Sequence, residues 1–270
     1  GDKVEAQLKF GWEIDAYPVN EIAECVASVS ESDTNALVEE YYTKYDILLE
    51  GRDPEEFKKH VAVQAKIELG FERFLEEKNY HAIVTHFGML GGLKQLPGLA
   101  MQRLMEKGYG FGAEGDWKTA ALTRVLKTMS DNDSTAFMED YTYPLAEGQE
   151  YSLGAHMLEV SPDFASNKPK IEVHQLGIGG KEPPARLVFD GVEGDGVAVC
   201  MVDMGNRFRL ICASIELVKQ PKEMPKLPVA RIMWKLKPNH QTGAAAWIYA
   251  GGAHHTVVST ALSVEDIRLF

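Results

Sequence analysis

A handful of oxygen and nitrogen donors in this chain sit where ordinary surface residues seldom do. Glu114 falls in Gly112-Ala113-Glu114-Gly115, a glycine-flanked loop at a strand end, where the backbone is kept thin so that something can approach. Glu139 lies in Phe137-Met138-Glu139-Asp140-Tyr141-Thr142-Tyr143, and strand alternation predicts that Phe137, Glu139, Tyr141 and Tyr143 share one side. A carboxylate on an aromatic face needs a partner, because burying it unpaired is costly. His156 shares its face with Leu158 and Val160. His254-His255 follows Gly251-Gly252-Ala253 and enters Thr256-Val257-Val258, where an extended backbone points the two rings apart, so at most one of them is expected in a shared site. Two carboxylates and two imidazoles make a mixed donor set suited to a divalent ion of the manganese type, with the carboxylates offsetting its charge. Such a set leaves two octahedral positions for neighbouring oxygens of a chelated substrate. Taken singly, each residue has a plainer reading: a glutamate solvated at the surface, or a histidine hydrogen-bonded in the core.

The elements that must carry these donors change character along the chain. Asp53-Pro54-Glu55-Glu56 supplies an N-cap, a first-turn proline and a capping-box glutamate, after which Phe57, Val61, Ile67, Phe71, Phe74 and Leu75 recur at helical spacing. His81 to Phe87 reads as a short buried strand, followed by a glycine-rich loop and a helix from about Pro97 that stops before Gly108. Tyr109 to Ala113 is extended, and Asp116 is placed to cap a helix starting at Trp117. This alternation predicts an open, parallel-sheet α/β domain over residues 1–130, with Phe87 and Glu114 beyond the carboxyl ends of its strands, where ligands gather. Residues 131–270 predict a β-rich, barrel-like domain. Val197 to Val202 and Phe208 to Ile215 form a hairpin around Gly205-Asn206, and a short helix runs from about Ser263.

Composition narrows the function. Lys and Arg total 28 against 40 Asp and Glu, a net charge of −12 spread over both halves, which repels phosphate backbones and anionic lipid surfaces. Neither nucleic acid nor a membrane is an expected partner; the longest nearly apolar run, Gly243 to Ala253, is far short of a bilayer-spanning helix. Cys25, Cys200 and Cys212 show no CxxC spacing and read as core thiols in a reducing cytosol. The opening Gly1-Asp2-Lys3 has no signal-peptide order and reads as a cut or processed end. No P-loop, HExxH, GxSxG or Rossmann fingerprint occurs. Gly177-Ile178-Gly179-Gly180-Lys181 suggests a phosphate loop, but Pro183-Pro184 follows where a helix N-terminus would be needed, so a structural turn is expected.

Beyond single residues, Gly92-Leu93-Lys94-Gln95-Leu96-Pro97-Gly98-Leu99, Gly112-Ala113-Glu114-Gly115-Asp116-Trp117-Lys118-Thr119-Ala120-Ala121, Phe137 to Tyr143, Leu153-Gly154-Ala155-His156-Met157-Leu158-Glu159-Val160 and Gly251-Gly252-Ala253-His254-His255-Thr256 strongly resemble L-arabinose isomerase. They occur in the same order, and the likeness covers essentially the whole chain, which corresponds to the central domain and most of the C-terminal domain of that family. By this resemblance Glu114, Glu139, His156 and His255 match the family's metal ligands, with Mn²⁺ the usual ion. The two glutamates also match its acid and base for interconverting aldose and ketose. Phe87 and Ile178 match positions that line the sugar pocket. The resemblance implies conversion of L-arabinose to L-ribulose, D-galactose to D-tagatose as a secondary reaction, and a cytoplasmic homo-oligomer, hexameric in the family. Family members also carry an N-terminal α/β domain, which helps close a neighbouring subunit's pocket, and a C-terminal tail. Gly88-Met89 and Pro144 stand where many members have acidic residues and a histidine, changes that bear on pocket shape rather than ligation. Two rivals stand beside this reading: a catalytically silent module that binds sugar or assembles, and a related fucose-type isomerase.

Overall fold

Strong caps and helical spacing make the first half helical. In the computed structural model, which describes residues 2–144 and 146–270, helices α1 (Lys3–Phe10), α2 (Val19–Ser28) and α3 (Glu31–Lys44) lead into strand β1 (Asp46–Ile47). The long helix α4 (Pro54–Lys78) follows, then strand β2 (Ala82–Val84), helix α5 (Gly98–Glu106), strand β3 (Gly110–Gly112) and helix α6 (Trp117–Met129). Asp53 caps α4 by accepting from the amides of Glu55 and Glu56, and left-handed Asn79 ends it. Its buried face carries Phe57, Val61, Ile67, Phe71, Phe74 and Leu75, as the spacing predicts. Strands β2 and β3 pair in parallel, Ala82 with Gly110 through Val84 with Gly112. The expected strand from His81 to Phe87 is thus only three residues long, and Phe87 lies in the loop beyond its carboxyl end. Gly112 is required by packing: a Cβ there would lie 2.5 Å from the Asp116 carbonyl oxygen and 2.8 Å from the Ala120 nitrogen, so only glycine lets the start of α6 press against β3.

The second half comprises strands β4 (Thr135–Thr142), β5 (Ser152–Ala155), β6 (Lys170–Val173), β7 (Ala185–Val188), β8 (Gly194–Asp203), β9 (Phe208–Val218) and β10 (Ile232–Leu236), helix α7 (His240–Ala250), strand β11 (His255–Ser259) and helix α8 (Val264–Leu269). Six of these strands close into a barrel in the order β10-β5-β4-β11-β8-β9, while β6 joins β1 in parallel and β7 in antiparallel fashion. The fold is therefore an α/β unit with parallel pairing followed by a closed barrel. Alternation sorts the barrel residues: Ala136, Met138 and Val258 join one core with Trp234 and Ile232, whereas Phe137 and Val257 face the opposite way, against the helices. The expected hairpin is β8 with β9, paired from Gly194–Leu217 to Asp203–Phe208. Ser263 and Asp266 form a capping box that starts α8.

Two expectations need correction. Tyr143 does not stay on the Glu139 side, because the β4–β5 register shifts between Asp140 and Thr142; its ring stacks on His240 instead, centroids 5.9 Å apart. Cys200 is a core thiol, but Cys25 and Cys212 are only half-buried; α2, which carries Cys25, contributes no fully buried residue. Most of the apolar run from Gly243 lies in helix α7, which the sequence pattern assigns to no element. Among the described residues no helix is long and apolar enough to cross a membrane.

Candidate metal centre

Strand register assembles most of the site. On β11 and β4, His255 pairs directly with Glu139; on the other side of β4, Glu139 pairs with Ala155, so His156 emerges just past the end of β5. Both imidazoles rest edge-on against the outward ring of Phe137, at centroid distances of 5.0 Å for His156 and 5.3 Å for His255. Glu114 arrives from the α/β unit in the turn between β3 and α6. Asp116 donates its amide to Ala113, and Gly115 donates to Thr85 at the end of β2. Glu114 itself is left-handed, φ 56°, a strained state for a residue with a Cβ, and this turn holds it there.

The donor atoms converge. His156 Nε2 lies 3.8 Å from Glu139 Oε2, and His255 Nε2 lies 3.8 Å from Glu139 Oε1 and 3.9 Å from Glu114 Oε2. One ligand atom each from Glu139, His156 and His255 falls within 4.8 Å of the others, and the same holds for Glu114, His254 and His255. Around an ion with bonds of about 2.1 Å, adjacent octahedral ligands are about 3.0 Å apart and opposite ones about 4.2 Å; separations of 3.8 and 3.9 Å lie between the two, close enough for one cation to be shared after a small contraction. His254 is a correction. The residue precedes β11, so the alternation that would turn it away has not begun, and its Nε2 lies 3.3 Å from Glu139 Oε1 on an exposed side chain.

The histidines are held from behind. Asp116 Oδ2 accepts from His255 Nδ1 at 3.1 Å, and Glu159 takes the Nδ1 of His156 in a short contact while also accepting the Leu158 amide. Each Nε2 is thereby left to face the cluster, the arrangement in which a carboxylate fixes a metal-binding imidazole. Among the described residues His255 Nε2 is buried with no hydrogen-bond partner, an orphaned acceptor that a coordinated cation would satisfy. Burial pushes Asp116 up, but hydrogen bonds from His255 and Thr119 and the charge of Lys118 outweigh it and hold the carboxyl far below the usual range. Burial likewise opposes protonation of His156, but the Glu159 charge and hydrogen bond raise its pKa overall. Asp116 and Glu159 were not among the residues singled out as site residues. Asp116 does cap α6 through Thr119, and that role hid the second one; Glu159, three residues after His156, was legible only as spacing.

A cleft opens beside the cluster, lined by Phe87, Leu96, Ile178, Glu114, His156 and Glu159 among others. Four of the six residues picked out from sequence thus line one cavity, and the remaining two, Glu139 and His255, stand within 4 Å of His156 or Glu114. The segment 177–181 is a turn, with Gly179 and Gly180 both at positive φ, and it presents Ile178 to the cleft.

Fold and site together define an α/β-plus-barrel protein whose outer barrel face carries a carboxylate–imidazole cluster beyond a parallel strand pair. The chain belongs to the L-arabinose isomerase family: the family model for the L-arabinose isomerase central domain matches residues 1–132, and that for the L-arabinose isomerase C-terminal domain matches residues 134–270. It is 53% identical over 270 residues to an L-arabinose isomerase of Geobacillus stearothermophilus, covering 100% of this chain and 54% of that protein. L-arabinose isomerase 2 of Clostridium acetobutylicum is 54% identical over 267 residues, covering 99% of this chain and 55% of that protein. L-arabinose isomerase 2 of Bacillus licheniformis is 51% identical over the same length, with 99% and 56% covered. The chain spans about half the length of the curated relatives it matches.

Proposed function

We propose that this chain carries the metal-binding and proton-transferring residues of an Mn²⁺-dependent aldose–ketose isomerase that converts L-arabinose to L-ribulose. The observation that carries the reading is the buried, unpartnered Nε2 of His255, facing both glutamates while Asp116 holds its other nitrogen. Glu114, Glu139, His156 and His255 would hold the ion; when bound, it supplies stabilisation for negative charge developing on the sugar oxygens. The protein's own groups then move the protons. One glutamate carboxylate takes the proton from C2 of the opened aldose and returns it to C1, while the other passes the O2 hydroxyl proton to O1. Atoms balance with no outside oxidant. Acid–base transfer of this kind contributes roughly 10²–10⁴ in rate. Asp116 and Glu159 hold the imidazoles in orientation, and Phe87 and Ile178 line the cleft and exclude water.

D-galactose, longer by one hydroxymethyl carbon, is the second substrate in this reading. The division into units 1–130 and 131–270 is part of the proposal, supported by the change from helices to strands after α6. So is a homo-oligomer in a reducing, cytoplasmic setting; three unpaired cysteines fit the latter, and the hexameric state rests on the family resemblance. The test is the whole enzyme with Mn²⁺ and L-arabinose. Glu114→Gln and Glu139→Gln are each expected to lower L-ribulose formation by roughly 10³-fold or more, combining lost proton transfer with lost charge stabilisation. Either variant keeping most of its rate overturns the assignment. Wild-type enzyme that binds the sugar without forming ketose would point instead to a silent binding module, and a preference for other aldoses to a fucose-type isomerase.

A further inference from the structure

Resting on the isomerase reading, we propose that Gln64 and Gln95 form a clamp that fixes the apolar wall of the cleft, making them positioning residues for the length of aldose accepted. The wall is the irregular segment 85–97 between β2 and α5, which brings Phe87, Leu90 and Leu96 to the cleft. A loop of this kind has few partners for its own backbone, and here buried side chains supply them. Gln64, in the middle of α4, donates from Nε2 to Gln95 Oε1 and to the Leu96 carbonyl, both at 2.8 Å. Its Oε1 accepts the Ala100 amide at 3.2 Å, in the first turn of α5, where the N-cap residue Pro97 offers no side-chain cap. Gln95 Nε2 in turn reaches His60, the ring Nδ1 at 3.1 Å and the carbonyl at 3.2 Å. Both glutamines are 0% exposed. An apolar side chain of similar size would fill the same space, so what the amides add is the position of the loop.

The clamp governs both sides of the wall. Lys181 Nζ donates to the Gly91 carbonyl at 2.8 Å, and the Glu182 amide donates to the Lys94 carbonyl at 3.0 Å, tying the Ile178 turn to the same loop. Gly179 presses so close that a Cβ would stand 2.7 Å from Leu96 Cδ1 and 3.2 Å from the Phe87 carbonyl oxygen. The two loops are tied to each other and anchored to α4 through Gln64 and Gln95. With the reacting carbons held at the glutamates, the far end of the sugar meets this wall, so its placement discriminates a five-carbon from a six-carbon chain.

The experiment compares Gln64→Met, Gln95→Met and the double variant in the whole enzyme with L-arabinose and D-galactose, and measures Mn²⁺ binding separately. Each single variant is expected to raise KM for L-arabinose by roughly fivefold or more with kcat within about threefold, the mark of a lost binding contribution rather than lost chemistry. The ratio of kcat/KM for galactose over arabinose should shift, Mn²⁺ affinity should hold, and the double variant should be no worse than the poorer single one, as coupled residues require. His60→Ala, which removes the ring contact to Gln95 but keeps the carbonyl one, gives a smaller shift of the same sign and serves if either methionine variant fails to fold. Folded variants with unchanged KM and unchanged substrate ratio, or with strictly additive losses, overturn the clamp. Wild-type enzyme that neither binds Mn²⁺ nor converts either sugar overturns the isomerase reading itself.

Discussion

The barrel and the α/β unit contribute to the same cluster by different physical means. Glu139 and His255 come from neighbouring strands in fixed register and His156 from the residue just past β5; the two histidine side chains are 7% and 8% exposed and the glutamate 19%. Glu114 comes from a turn, sits at positive φ and is 44% exposed. Ladder hydrogen bonds and a packed outer face hold the first group in place, whereas the fourth is aimed by a few turn contacts. In the proposed isomerase this difference is a division of labour: the barrel donors would hold the cation, and the exposed glutamate would reach what the cation holds.

Metal binding and turnover should therefore respond differently to the two sources. The largest effect is expected at the barrel. His255→Ala should weaken Mn²⁺ binding more than roughly 100-fold, since it deletes the ligand shared by both donor triads, while Glu114→Gln should weaken it less than about tenfold despite abolishing turnover. Isothermal titration or manganese resonance on both variants checks this, and equal losses would break the comparison. An intermediate effect belongs to Asp116→Asn, which keeps the shape but weakens the hold on His255; affinity should fall roughly 10- to 100-fold in the same titration. The smallest is Gly112→Ala. The added methyl must push α6 from β3, costing about 1–3 kcal/mol by denaturant unfolding and shifting Mn²⁺ affinity only a few-fold, through Asp116.

Much of this arrangement was legible in the sequence because local chemistry and tertiary role coincided. Asp53-Pro54 announces α4, and the glycine beside Glu114 announces a turn with room for approach. The illegible parts are those where one residue has two roles or where pattern is silent. Asp116 reads as a helix cap because it is one, and nothing local tells that its other oxygen meets a residue 139 positions away. Helix α7 hid because Gly243 to Ala250 is apolar on every side, so no periodicity separates its buried Gly243, Ala244 and Trp247 from the exposed Ile248 and Tyr249. Tyr143 was misplaced by a register shift that alternation cannot foresee, and His254 by assuming extension one residue too early.

Asp116 accepts from the Thr119 amide, the Thr119 hydroxyl and Lys118 while it steadies His255. In the proposed isomerase, opening the first turn of α6 would therefore also loosen the hold on a cation donor, so fraying of that turn would cost metal affinity. Activity of the proposed isomerase is then expected to fall, on heating, before the barrel melts.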